Sequence, residues 1–120
     1  MRTPLCGRNF EYMGEDPFLT VRMAVGYIRG EQSQDVASCV KHFAVNDQEW
    51  QRKSIDTVVD ERALREIYLP AFKAAVQEAG VWAIMGAYNK FRGQFCCHND
   101  YLLNQVLKGE WGFKGMVLSD

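Results

Sequence analysis

Titratable side chains follow three short apolar runs in this sequence of 120 residues. Lys41 and His42 come near the end of the first run, Tyr88 ends the second, and Asp120 ends the third. Carboxylates, lysines and histidines are the groups that transfer protons or bind polar ligands in catalytic sites. Their recurrence after apolar runs predicts a site wherever the ends of those runs meet.

The pattern of apolar residues predicts three helices and three strands in alternation. The predicted helices are residues 17–30, a long segment between the caps Asp60 and Gly80, and residues 100–109 with Asn99 as cap. The predicted strands are residues 36–45, 81–88 and 115–118. Pro70 lies inside the long helix, where its ring clashes with the carbonyl of Glu66, so we expect a kink or a junction of two helices.

Apolar strands that alternate with helices indicate an α/β fold with parallel strands buried on both faces. Right-handed crossovers would place all three strand ends on one side of the sheet. In β/α barrels and open α/β sheets, chemistry takes place at that rim. The residues alone therefore predict an α/β protein with a polar site at the strand ends, and they name no substrate.

Each candidate side chain also has an ordinary structural explanation. Asp120 could cap a following helix, and Lys41 could extend its ammonium group into solvent. The histidine, methionine and tyrosine could be core residues, and the two loop arginines could be solvated surface charges. The residues to which this applies are Arg8, Lys41, His42, Arg52, Met85, Tyr88 and Asp120.

Composition argues against several classes of protein. The net charge is -1, so it gives no reason to expect nucleic acid or an anionic membrane surface as a partner. No apolar stretch approaches the roughly 20 residues that span a bilayer. The four cysteines lack C-x-x-C spacing, and the adjacent Cys96 and Cys97 are expected to be free thiols. We expect neither a metal nor a cofactor.

Four stretches, in order, resemble glycoside hydrolase family 3. GRNFEYMGEDP is similar to a family loop with arginine before Asn-Phe-Glu, and VKHFAVNDQE is similar to the Lys-His-Phe strand end. GAYNKFRG resembles the Tyr-Asn segment, and GFKGMVLSD resembles the strand that ends in Ser-Asp and bears the nucleophile. The resemblance covers essentially the whole chain.

This resemblance implies an eight-stranded β/α barrel, which needs at least about 200 residues. We therefore expect residues 1–120 to be a fragment of an N-terminal catalytic barrel domain, a partial (β/α) TIM-type barrel with about three strands and three helices. The remainder of the barrel and a second domain would lie outside this chain. Alone, the fragment is expected to be inactive and poorly folded, because its sheet edges and apolar helix faces would be uncovered.

The resemblance also implies a role for each candidate residue. Asp120 would be the catalytic nucleophile of a retaining mechanism, with the acid/base carboxyl supplied by a following domain. Tyr88 would hydrogen-bond that nucleophile, and Met85 would form an apolar wall. Sugar hydroxyls in the −1 subsite would be held by Arg8, Lys41, His42 and Arg52.

One departure narrows the expected activity. The N-acetylglucosaminidase branch resembles KHFPGHG, whose second histidine serves as acid/base, but here the stretch is KHFAVNDQE. We therefore expect a retaining exo-β-glycosidase, a β-glucosidase acting on terminal non-reducing β-D-glucosyl residues of a β-linked oligosaccharide or glycoside. A β-xylosidase of the same family and a non-catalytic carbohydrate-binding relative are the alternatives.

Overall fold

Six strands form two small sheets in the computed structural model, which describes residues 1–120. Strands β1 (Cys39–Phe43), β3 (Ala83–Gly86) and β6 (Met116–Leu118) form a parallel sheet with β3 in the centre. The second sheet contains β2 (Asp56–Thr57), β4 (Lys90–Phe91) and β5 (Gln94–Phe95), with β4 paired to both neighbours. Because the three strands of the first sheet are parallel, their carboxyl ends lie at one rim, as predicted.

A helical segment precedes each strand of the first sheet. They are α1 (Pro17–Gln32), α2 (Glu61–Ala63), a π-helical turn (Leu64–Tyr68), α3 (Pro70–Gln77) and a π-helical α4 (Tyr101–Glu110), with short 3-10 turns at Asn9–Glu11 and Cys96–His98. The side chain of Asp16 caps α1 by accepting a hydrogen bond of 2.9 Å from the Phe18 N–H. Asn99 likewise accepts a 2.9 Å bond from the Leu102 N–H, which confirms the predicted cap of the last helix.

The predicted interruption at Pro70 is confirmed. Before this proline the backbone widens into the π-helical turn, and the Leu69 N–H donates to the Leu64 carbonyl at 2.9 Å. A wider turn relieves the clash between the proline ring and the preceding carbonyls, so the chain continues as α3.

The expectation that all three strands are buried on both faces is wrong for the outer strands. Side chains of β1 alternate between exposed, at Cys39 and Lys41, and half-buried, at Val40 and His42, and only Phe43 at the end is fully buried. Met116 in β6 is 63% exposed. Only the central strand β3 has a neighbour on each side, and its Ile84 is fully buried. Side chains point out of the two faces of a sheet, so these exposed residues lie where no helix of this chain covers a face.

The core lies between the first sheet and the helices. The ring of Phe43 packs edge-on against Phe72 at 5.1 Å and against Trp111 at 5.9 Å between centroids. Leu64 and Leu107 are fully buried in the same cluster. These contacts fix β1 against α3 and the end of α4, so they fix the rim residues Lys41 and His42 that directly precede Phe43. None of the helices has the length and hydropathy that a bilayer crossing requires.

The second sheet was not predicted, because its strands lie in residues 46–57 and 89–98, between the predicted strands and the helices that follow them. Strands β4 and β5 form a hairpin around Arg92 and Gly93, whose φ angles are 54° and 80°. Two central residues with positive φ define the turn that matches the twist of a hairpin. The Arg-Gly pair flanked by phenylalanines was the available sequence signal.

One buried amide joins the two sheets directly after Tyr88. The side-chain nitrogen of Asn89, which is fully buried, lies 3.1 Å from the Thr57 hydroxyl and 3.3 Å from the carbonyls of Ala44 and Val45. These oxygens belong to the segment after β1 and to β2. The amide therefore ties both segments to the strand end that carries Tyr88.

We predict that Asn89→Ala in the full-length protein lowers the free energy of unfolding by about 1–3 kcal/mol, because buried acceptors lose their donor. Thermal unfolding followed by calorimetry measures this change. The control is Asn104→Ala, which removes an exposed amide that donates to Asp100 at 2.8 Å. Equal small effects of both substitutions would contradict the role assigned to Asn89.

Candidate active site

A histidine and a carboxylate lie side by side at the rim of the first sheet. His42 is the penultimate residue of β1, and Asp120 follows β6 by two residues. The His42 Nε2 atom lies 3.3 Å from Asp120 Oδ2, and the two side chains are only 8% and 13% exposed. Parallel pairing of β3 with both strands brings these residues together from distant parts of the sequence.

Burial lowers the pKa of His42 below its ordinary value. The Asp120 carboxylate opposes this effect, while the positive charges of Lys41 and Arg8 add to it, so the imidazole is neutral near pH 7. A neutral imidazole can donate one hydrogen bond from Nε2 to the carboxylate or to a ligand hydroxyl. The His42 imidazole is thus a hydrogen-bond donor beside Asp120 that adds no positive charge to the site.

Arg8 and Lys41 share one carboxylate, that of Glu11. The Lys41 Nζ atom lies 2.9 Å from Glu11 Oε2, and the Arg8 Nε atom donates to Glu11 Oε1 at 2.6 Å. The Arg8 terminal nitrogen also bonds Oε1. The Glu11 side chain is 16% exposed, so this triad lies partly inside the protein.

Arg52 stacks on Tyr88 on the other side of the site. The Arg52 guanidinium carbon lies 4.4 Å from the centroid of the Tyr88 ring, a cation–π arrangement, and Arg52 also pairs with Glu49 in its own loop. The pKa of the Tyr88 hydroxyl is raised, chiefly by hydrogen bonding to the Asp120 carboxylate. Arg52, Tyr88 and Asp120 therefore form a continuous chain of contacts.

Met85 lies in the central strand β3. It pairs in register with Leu118, two residues before Asp120, and its side chain is half-buried. Its assignment to an apolar wall stays a prediction.

The structure thus brings six of the seven candidate residues into one cluster of contacts and charges. Two carboxylates in this cluster were missed, Glu11 and Glu49. Each lies three residues from the arginine that it binds, Arg8 and Arg52 respectively. That spacing, inside the two loops that carry the candidate cations, was the available signal.

A separate cavity of about 410 Å³ lies beside the cluster, between β1, α1 and α3. Its lining is largely apolar and includes Ile28, Val40 and Phe72. It touches the cluster at Glu11, Lys41 and His42 but includes neither Asp120 nor Tyr88. The candidate site is therefore the charged rim and not this cavity.

The structure is an α/β fold that carries a carboxylate among hydrogen-bond donors at the carboxyl ends of its parallel strands. This is the position of the active site in α/β enzymes. This chain belongs to glycosyl hydrolase family 3, because residues 1–120 match the model of the "Glycosyl hydrolase family 3 N terminal domain". The expected family is thereby confirmed.

Curated relatives of this chain are glycosidases. "Beta-glucosidase BoGH3A" of Bacteroides ovatus is 59% identical, and "Thermostable beta-glucosidase B" of Acetivibrio thermocellus is 56% identical. The structure of beta-glucosidase 3B from Thermotoga neapolitana in complex with glucose superimposes with a TM-score of 0.96 at 55% identity. Each match covers 99% of this chain but only 16% or 17% of the relative. The chain thus spans about one sixth of the length of its relatives.

We predict opposite shifts in the pKa of His42 when its charged neighbours are removed. Asp120→Asn should lower that pKa further, because the carboxylate raises it, whereas Lys41→Met should raise it by removing a like charge. A titration of ¹⁵N-histidine-labelled full-length protein by NMR, with His42→Gln for assignment, measures both. Lys108→Met is the control, since Lys108 is absent from the causes of the His42 shift. Shifts of the same sign would contradict the described geometry.

Proposed function

We propose that the full-length protein is a retaining exo-β-glycosidase, namely a β-glucosidase that acts on terminal non-reducing β-D-glucosyl residues. The observation that carries this proposal is the Asp120 carboxylate 3.3 Å from His42 among three basic side chains. The family membership and the names of the relatives support the same activity.

Asp120 is the proposed nucleophile. Its carboxylate attacks the anomeric carbon, the bond to the leaving-group oxygen breaks, and a covalent glycosyl-enzyme forms that water later hydrolyses with net retention. The Asp120 carboxylate is the main cause of the raised pKa of the Tyr88 hydroxyl, which supports a role for Tyr88 in orienting it by hydrogen bonding. His42 on the other side restricts it further.

The basic residues are proposed to bind the sugar of the −1 subsite. Arg8, Lys41 and Arg52 have N–H donors that suit hydroxyl oxygens, and bonds from charged donors are stronger than neutral ones. Such bonds accelerate the reaction only where they strengthen in the transition state. Met85 is proposed to pack against an apolar face of the ring.

The acid/base is proposed to come from outside these 120 residues. Retaining chemistry needs a second carboxyl about 5–5.5 Å from the nucleophile. The two further carboxylates of the rim, Glu11 and Glu49, are each paired with basic side chains, so neither is available to protonate the leaving-group oxygen.

We propose that the 120 residues form part of a (β/α) TIM-type barrel in an N-terminal catalytic domain, with a second domain in the longer protein. The sequential, parallel order β1-β3-β6 and the intervening helices support this arrangement. The 120 residues alone are expected to be inactive, because their acid/base lies elsewhere and the outer strands present open edges.

An arabinopyranosidase is a second candidate activity. "Exo-alpha-(1->6)-L-arabinopyranosidase" of Bifidobacterium longum is 49% identical over 99% of this chain and 16% of that protein. Comparison of kcat/KM for aryl β-D-glucosides, β-D-xylosides and α-L-arabinopyranosides in the full-length protein separates these activities. Sugar binding without hydrolysis of any of them would instead indicate a non-catalytic relative.

We predict that Asp120→Ala in the full-length protein reduces kcat for an aryl β-glucoside on the order of 10³-fold or more, because the covalent route is lost. Mass spectrometry after incubation with a 2-deoxy-2-fluoroglucoside should find the adduct on the peptide containing Asp120. Asp35→Asn, in the turn after α1, is the control and should retain activity. Near wild-type activity of Asp120→Ala would refute the assignment.

A further inference from the structure

In the triad of Glu11, Arg8 and Lys41, each oxygen of the Glu11 carboxylate contacts a different basic side chain. Oε1 accepts from the Arg8 guanidinium, and Oε2 forms an ion pair with the Lys41 ammonium at 2.9 Å. Glu11 and Arg8 lie in and beside the 3-10 turn, while Lys41 belongs to β1. One side chain therefore links the first loop to the strand end that also carries His42.

This double contact requires a carboxylate. An amide has a single oxygen, so a glutamine that accepts from Arg8 would present its own N–H groups to the Lys41 ammonium. An aspartate is one methylene shorter and cannot span both partners in the same way. The position is therefore selective for both the charge and the length of glutamate.

Without Glu11 the two cations would have another acceptor close by. Arg8 and Lys41 both lie near enough to His42 to lower its pKa, and His42 lies 3.3 Å from Asp120. Long side chains have many rotamers, and holding them before the ligand arrives removes an entropic cost of binding. A released ammonium group would instead turn toward the Asp120 carboxylate and pair with it. That pairing would compete with the attack of the carboxylate on the anomeric carbon.

We propose that Glu11 is a positioning residue of the active site: it holds Arg8 and Lys41 ready for the sugar and keeps them from pairing with Asp120. This inference rests on the proposed function, because it assigns Glu11 to the same reaction. Glu11 acts through the two cations and does not itself touch the reacting atoms.

Other glutamates of the chain also form ion pairs, and they provide the comparison. Glu66 binds Arg62 one helical turn away, but its side chain is 60% exposed and the pair lies on the helical segment before Pro70. Such exposed pairs contribute little to stability. Glu66→Gln removes one ion-paired carboxylate without touching the rim, so it is a matched control for Glu11→Gln.

The test is a double-mutant cycle in the full-length protein, with the variants Glu11→Gln, Lys41→Met and their combination. For an aryl β-glucoside we expect Glu11→Gln to lower kcat about 10- to 100-fold, with a parallel loss in the rate of inactivation by a 2-deoxy-2-fluoroglucoside. If Glu11 acts through Lys41, its loss should be at least about fivefold smaller in the Lys41→Met background. Glu66→Gln should stay within about twofold of wild type.

Glu11→Asp provides a second variant if Glu11→Gln folds poorly. It retains the charge and the partner in its own loop but loses reach to Lys41, so its kcat should lie between those of wild type and Glu11→Gln. Melting temperatures of all variants show whether folding accounts for the losses.

The outcomes separate the two proposals. Suppose that the wild type is active but the losses in kcat from Glu11→Gln and Lys41→Met multiply independently, or that Glu11→Gln raises KM alone. Either result overturns the positioning role and leaves the proposed function standing. A folded wild type that hydrolyses no aryl glycoside overturns the proposed function and this inference with it.

Discussion

The site depends on the parallel pairing of β3 with β1 on one side and β6 on the other. This pairing places His42 beside Asp120 although they lie in different thirds of the chain. The core contacts of Phe43 with Phe72 and Trp111 fix the strand directly after His42. The buried amide of Asn89 fixes the backbone directly after Tyr88. Hydrophobic packing around Phe43 and the hydrogen bonds of the Asn89 amide thus set the geometry of the charged groups at the rim.

Charges at this rim are balanced. Three basic side chains, Arg8, Lys41 and Arg52, face the carboxylates of Glu11, Glu49 and Asp120, while burial keeps His42 neutral. Basic groups close to a carboxylate stabilise its ionised form, and an excess of them would bind it too tightly. A balanced set can present strong hydrogen-bond donors to an uncharged ligand such as a sugar without a large net field.

Much of this arrangement could be predicted because local rules agree with the fold. Pro70 cannot continue an undisturbed helix, and Asn99 is a good cap, so both boundaries followed from residue type. The hairpin at Arg92 and Gly93 was missed because its strands are only two residues long and have no periodicity to detect. Glu11 was missed because acidic loop residues usually face solvent, and its contact with Lys41 arises only when separate segments meet in three dimensions.

The placement of the counterions has a consequence for how the chain assembles. Arg8 and Arg52 each pair with a glutamate three residues away in the same loop. Each of the two loops is therefore close to electrically neutral before they come together. The two loops that carry these arginines can then approach the same rim without mutual repulsion opposing collapse. Among the three basic residues of the rim, only Lys41 has its counterion in another segment, so its ion pair with Glu11 forms only when that segment docks against β1. Of the ion pairs at this rim, the one that joins the first loop to the sheet is therefore the one that depends on tertiary structure.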